Sequence, residues 1–366
     1  GDNVFFDAGS GFTSTNKTVT VDNISYAHNV TFAGSAVAPT LTQSGSQTLN
    51  IYGSSVWQSG MGQINVNNIY YRHTGEAKTI TSNGVITGSN FSYVYFEEEN
   101  SISLSDDFSV GYYLYHNAGI FNTNNFNVTI GYNFFANNGT KPRTINLGSS
   151  VITLTHSLSY FNTNSSNVTL NSGTSHIIFT SLTNSTFSYG IVPYTNQVFN
   201  DVTFEKQGAI GGSHSGVVYY NNVVFRGDGN LYGDNNFKSL IFSPSKTYTL
   251  PSGKTQTIVN LFSANTPQCG GWSTIKSSTA GTQANISAAA GVTIDVSGII
   301  IQDVNATGGA NFTANNSVDN SNNTGWIFPA YTGQNLYWVG GSGNWNDKAH
   351  WSQTSGGTGG YCVPGP

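Results

Sequence analysis

Short runs of alternating apolar and polar residues recur along the whole chain, each closed by Gly, Asn or Ser. They include Asn29-Val30-Thr31-Phe32, Leu49-Asn50-Ile51-Tyr52, Asn127-Val128-Thr129-Ile130, Asn167-Val168-Thr169-Leu170 and Asp201-Val202-Thr203-Phe204. A period of two buries one face of a strand and leaves the other in water. Corresponding runs lie about 15 to 25 residues apart, a solenoid period. No segment shows 3.6-residue periodicity beyond one turn. The pattern predicts an all-β chain folded as a right-handed parallel β-helix over residues 1–328, with ~13–16 coils stacked ~4.8 Å apart. Inward positions take Val, Ile, Leu and Phe. Corners take Gly and Asn, which tolerate positive φ. Asn side chains are expected to stack in ladders between coils. The competing β-sandwich array would need hairpin turns every 8–12 residues, which the sequence does not show clearly.

Composition narrows the function classes. Charged residues make up 8% of the chain, against roughly 25% in ordinary domains. With 12 Lys+Arg and a net charge of -5, the chain lacks the clustered cations that a nucleic-acid binder uses. No run approaches the ~18 apolar residues of a membrane-spanning helix. Aromatics at 13% argue against disorder.

A β-helix invites comparison with polysaccharide lyases and glycosidases, which need paired carboxylates or a carboxylate–cation cluster. The densest acidic run is Glu97-Glu98-Glu99. Adjacent carboxylates alternate faces on a strand, so this run reads as a solvated loop, and the chain as a non-enzyme with no cofactor. His28, His73, His116, His156, His176, His214 and His350 are dispersed and read as turn or surface residues; no zinc-ligand spacing is present. A Ca²⁺ site drawn from Asp2, Asp7, Asp303, Asp319 and Asp347 is a weaker expectation.

The last forty residues differ from the rest. Tyr337-Trp338-Val339-Gly340-Gly341-Ser342-Gly343-Asn344-Trp345, then His350-Trp351-Ser352, then Cys362-Val363-Pro364-Gly365 resembles a motif of giant repetitive surface proteins of the Bacteroidetes. There the motif runs into an Asp-Asn-Val-aromatic-Phe-Asp segment. This chain starts with such a segment, Asp2-Asn3-Val4-Phe5-Phe6-Asp7. Val168-Thr169-Leu170-Asn171-Ser172-Gly173 and Ile275-Lys276-Ser277-Ser278-Thr279-Ala280-Gly281-Thr282 are also similar to the family's repeats. The resemblance implies one period of a tandem array. It further implies type IX secretion and an extracellular, cell-surface location, outer-membrane-anchored or filamentous. Some members resemble gliding-motility adhesins, and no catalytic residue carries over.

Three expectations follow for particular residues. Residues 329–366 form a junction in which Trp338, Trp345 and Trp351 pack on the end of a β-helix, either their own or the next copy's around Phe5 and Phe6, because each ring buries on the order of 150–250 Å². In an exported chain, Cys269 and Cys362 read as one disulfide; two free thiols, or a bridge to a neighbouring repeat, stay open. The pairs Tyr70-Tyr71, Tyr112-Tyr113 and Tyr219-Tyr220 each place one ring inward and one outward. The outward rings are candidate surface contacts, with stacking between coils as the plainer role.

The resulting expectation is a structural repeat of a secreted adhesin or filament, acting as a stiff spacer and adhesive surface. Its partners are adjacent repeats and, beyond them, surface polysaccharides or other cells. A glycan-binding module and a β-helical polysaccharide-degrading enzyme are the alternatives.

Overall fold

The structure is a computed structural model that describes residues 1–89, 91–181, 190–211, 216–266, 271–330 and 333–364. It is all-β, with parallel strands stacked as a β-solenoid of about 14 turns. Two short 3₁₀ turns, Ala8–Ser10 and Lys348–His350, are the helical elements among the described residues. The chain divides into two compact units, Gly1–Tyr219 and Tyr220–Pro366.

In the first unit each coil contributes strands to successive flanks. One flank stacks Val4–Phe6, Val30–Phe32, Ser55–Val56, Lys78–Thr81, Ser101–Leu104, Gly119–Asn122, Arg143–Asn146 and Val168–Asn171. A second runs through Ser25–Ala27, Thr48–Ile51, Asn68–Tyr71, Tyr93–Phe96, Tyr113–His116, Asn133–Phe135 and Tyr160–Asn162. A third carries Phe108–Val110, Val128–Ile130, Val151–Leu154 and His176–Phe179. Pairing is in register, so Ile69, Val94, Leu114, Phe134 and Phe161 form one inward column. All five are essentially inaccessible to solvent. Phe134 stacks on Phe161 with ring centroids 4.7 Å apart. Burying a side chain of this size stabilises the fold by about 1.5–3 kcal/mol.

The second unit repeats the arrangement. Thr247–Leu250, Ser273–Ser277, Ile299–Gln302 and Val318–Asp319 stack on one flank, and Thr255–Ser263, Ala284–Ala288 and Val304–Thr307 on another. Thr293–Ser297, Asn311–Asn315 and Trp326–Ile327 form a third.

The Asn ladder expected between coils is present. The Asn171 side-chain amide donates to Asn146 Oδ1 at 2.7 Å, and Asn146 donates to Asn122 Oδ1 at 2.6 Å. Asn also turns corners: Asn83 and Asn124 sit at φ 49 and 53. At another corner Gly131 is required by proximity. A Cβ there would collide with the Gly111 carbonyl oxygen one coil away.

The C-terminal segment leaves the parallel scheme. Tyr337–Trp338 pairs antiparallel with Trp351–Ser352. Asp347 caps the turn between them by accepting from the Ala349 N–H at 2.9 Å. Trp338 and Trp345 both meet Trp351 edge-on, at 5.2 and 4.7 Å, and Trp338 stacks on His350 at 4.6 Å. Among the described residues these rings find ring partners in one another and in His350. The antiparallel pair folds the segment back on itself and buries Trp351, while Trp345 stays 61% exposed. At the other end of the sequence Phe6 stacks on Phe32 at 4.1 Å, inside the first coil, and Phe5 faces solvent. Cys362 is buried and disulfide-bonded; Cys269 lies outside the described residues.

Replacing Gly131 with Ala forces two coils apart at a corner. It is expected to destabilise the chain by about 1–3 kcal/mol, the usual cost of overpacking. Urea unfolding of the variant against the parent measures this; an unchanged midpoint would show that the corner relaxes freely.

Candidate functional site

On the second flank of the first unit, strand alternation puts Ile69, Val94 and Leu114 inside and Tyr70, Tyr95 and Tyr115 outside, in register with one another. Ring faces therefore meet. Tyr70 and Tyr95 stack at 4.2 Å with planes 5° apart, and Tyr95 and Tyr115 at 4.9 Å and 14°. Phe135 continues the column at 5.2 Å; Asn162 holds its next place, and Tyr160 tilts against Phe135 from the side at 5.9 Å. Beside it Tyr93 stacks on Tyr113 at 5.1 Å and 6°. Along the adjoining corner Tyr112, Tyr132 and His156 follow at 4.9 and 4.1 Å. Each aromatic contact contributes about 0.5–1.5 kcal/mol beyond its area burial.

The tyrosine pairs behave unequally. Tyr70 is outward, and Tyr71 is core, its hydroxyl 2.7 Å from Ser55 Oγ. Tyr219 is exposed and Tyr220 buried. Tyr71 and Tyr220 are thus excluded as surface contacts. Tyr112 and Tyr113 both stay partly exposed, because Tyr112 lies in the bend before its strand begins, where alternation does not apply.

One step further along the same strands the outward column turns polar: Arg72, Glu97 and Asn117. The Arg72 guanidinium covers the outer face of Tyr70, 3.8 Å from its centroid. Its Nε donates to Asn50 Oδ1 at 2.8 Å and its Nη1 to Glu97. These side chains, with Tyr52, His73, Ala118 and Lys141, line a cavity of about 410 Å³. Lys141 pairs with Glu99 across its rim.

Next in sequence to Glu97 of the cavity wall lies a charge pair that sequence reasoning missed. Glu98 is not part of a solvated loop; it is fully buried and pairs with buried Lys78. Alternation explains the direction, since Val94, Phe96 and Glu98 share the inward parity. Glu98 also accepts from the N–H groups of Thr74, Gly75 and Asn100 at 3.0, 3.3 and 2.9 Å. Burial alone would raise its carboxyl, but Lys78 and the Asn100 and Thr74 N–H groups outweigh that and hold it at about 2. The readable signal was Lys78 itself, at an inward position of Lys78-Thr79-Ile80-Thr81, one coil before Glu98.

His116, expected at the surface, is also buried, with Nε2 3.2 Å from the Thr144 carbonyl oxygen. Burial, reinforced by nearby Arg143, lowers its pKa to about 4, against the Thr144 contact. Of the aspartates expected to attract Ca²⁺, Asp7 and Asp347 cap turns, and Asp303 and Asp319 accept from the amides of Asn322 and Asn323 at 2.6 Å. Among the described residues, no three His, Cys, Asp or Glu side chains gather as metal ligands.

Replacing Lys78 with Met strands a buried carboxylate and is expected to cost about 3–5 kcal/mol. Lys78→Met combined with Glu98→Gln removes the stranded charge and keeps one acceptor oxygen for the Gly75 and Asn100 N–H groups, so it should recover part of that loss in urea unfolding. Acid adds a second readout. Both groups have folded pKa values below their ordinary ones, so the stability they contribute is present at neutral pH and lost on acidification. The His116 contribution fades as pH falls from 6.5 to about 4, and that of Glu98 from 4.5 to about 2. His116→Gln should remove the His116 share of the first window and leave that of His156, whose pKa burial also lowers; a variant that loses stability over pH 6.5 to 4 as the parent does would contradict the assignment.

Phenols in the ladder should ionise late. Burial, and then the neighbouring tyrosines, raise Tyr95 and Tyr113 well above the usual value of 10. A phenolate absorbance titration should resolve a class that ionises only at high pH. A single class near 10 would mean that the rings are apart.

No protein family, curated protein or solved structure matches the chain in the comparisons made.

Proposed function

We propose that this chain is a structural, adhesive segment of a secreted surface protein of the Bacteroidetes type: a solenoid spacer that carries a contact face on its flank. The observation that carries the reading is the ladder of outward tyrosines. Rings repeated in register on successive coils make a flat, partly solvent-exposed strip, supported from within by a close-packed core. The C-terminal Trp motif and its resemblance to repetitive surface proteins support the placement outside the cell, as does the disulfide at Cys362.

The acidic cluster beside the strip also favours binding over turnover. Glu97, Glu98 and Glu99 are held by Arg72, Lys78 and Lys141 respectively. A general acid needs a raised carboxyl pKa; the cations and N–H groups around Glu98 act in the opposite direction.

Immunogold labelling of intact cells that express the parent protein tests the location, and label outside the outer membrane is the expected result. Label confined to the periplasm or cytoplasm would overturn the reading. So would turnover of a polysaccharide by the purified chain that is abolished by Glu97→Gln or Glu99→Gln.

A further inference from the structure

We propose that the tyrosine ladder and the cavity at its edge form one binding surface for an uncharged polysaccharide lying along the direction in which the coils stack. The inference rests on the adhesive reading above and names the partner of that same face.

Four observations lead there. First, the ring faces are already occupied. Tyr70, Tyr95 and Tyr115 stack on one another, and Arg72 covers the outer face of Tyr70. What a partner meets is a row of ring edges and phenolic hydroxyls. That row offers hydrogen bonds, whereas an apolar peptide needs open ring faces or a greasy pocket. Second, the row repeats once per coil, ~4.8 Å. An extended glycan advances by a closely similar length per sugar ring; where β-1,4 linkages turn alternate sugars over, every second sugar meets every second coil in the same way.

Third, the cavity matches the scale of a small ligand, about 410 Å³, within the roughly 300–1,000 Å³ usual for binding sites. Its groups suit vicinal hydroxyls. A guanidinium, a carboxylate and a side-chain amide stand on consecutive coils at Arg72, Glu97 and Asn117. Arg72 is fixed in advance by Asn50 and by Tyr70, so little side-chain freedom is lost on binding. Fourth, charge is balanced locally. Arg72 faces Glu97 and Lys141 faces Glu99. A uronate or sulfated chain finds no surplus cation there, and a cationic chain finds no surplus carboxylate, so a neutral glycan is the ligand class that fits.

The test uses the full chain. Affinity electrophoresis and calorimetry are run with soluble β-glucan, xylan and galactomannan, with sedimentation on insoluble cellulose and chitin, and with alginate and polygalacturonate as anionic controls. Retention by at least one neutral polysaccharide, and none by the anionic ones, is expected. Tyr95→Phe with Tyr115→Phe removes two hydroxyls but keeps the stacked rings and the fold. It should weaken binding about tenfold. Asn117→Ala, in the cavity, should weaken the same interaction.

The inference is overturned by absence of binding to every neutral polysaccharide, by equal or tighter binding of the anionic ones, or by unchanged affinity in both variants. It is also overturned if the face instead mediates self-association, read as a concentration-dependent dimer in sedimentation that the Tyr95→Phe, Tyr115→Phe variant disperses. None of these outcomes bears on the cell-surface location, which the immunogold experiment decides separately.

Discussion

The in-register parallel ladder between coils is the constraint from which the rest of the structure follows. Once the backbone of one coil hydrogen-bonds its neighbour position for position, every side chain lies ~4.8 Å above its counterpart. A column can then hold only residues that tolerate their own kind at that distance. Apolar residues do so inside, as in the column from Ile69 to Phe161. Asparagines do so by passing an amide hydrogen bond along the stack, as Asn122, Asn146 and Asn171 do. Tyrosines do so by stacking faces. Like charges do not, because close repulsion is unfavourable even in water. A chain with 8% charged residues is what this selection leaves.

Several of the charges that remain follow the same rule and find an opposite charge on a nearby coil: Arg72 with Glu97, Lys78 with Glu98, and in the second unit Lys254 with Asp234. The sequence separations are 25, 20 and 20 residues, one coil in each case. Lys78 and Glu98 follow this spacing into the interior, where a buried ion pair gives little net stability of its own. Its effect is local order. Glu98 gathers the N–H groups of Thr74 and Gly75 and so fixes the corner that follows His73, a residue of the cavity wall.

The parts of this arrangement legible in the sequence are those governed by one residue's parity. The period-two runs mark the strands, and their recurrence marks the coils. Gly and Asn mark the corners, and Tyr70 outward with Tyr71 inward follows from alternation alone. What stayed illegible depends on register, because register decides which residue of the next coil lies opposite. Glu97-Glu98-Glu99 looks like a solvated loop until Lys78 and Lys141 are set against it from neighbouring coils. His116 is different: its inward parity in Tyr113-Leu114-Tyr115-His116 is legible from alternation alone once the strand is read through to its end. The Trp motif was legible as a departure from the coil pattern. Its antiparallel closure was not, because a two-residue strand pair leaves no periodicity to read.

Coil-to-coil packing and surface chemistry then have one origin. Stacking consumes the faces of Tyr70, Tyr95 and Tyr115, and this ties neighbouring coils together on the outside as the phenylalanines do within. The same stacking decides what the surface can recognise. A lone exposed tyrosine offers a ring face and adapts its rotamer to the partner. A laddered tyrosine offers its edge and hydroxyl, held at a fixed spacing and orientation by the rings on either side. On the proposed reading, recognition by such a face is repetitive and preorganised: it would favour long partners with a matching repeat over compact ones, and its strength would grow with the number of coils engaged and not with any single residue.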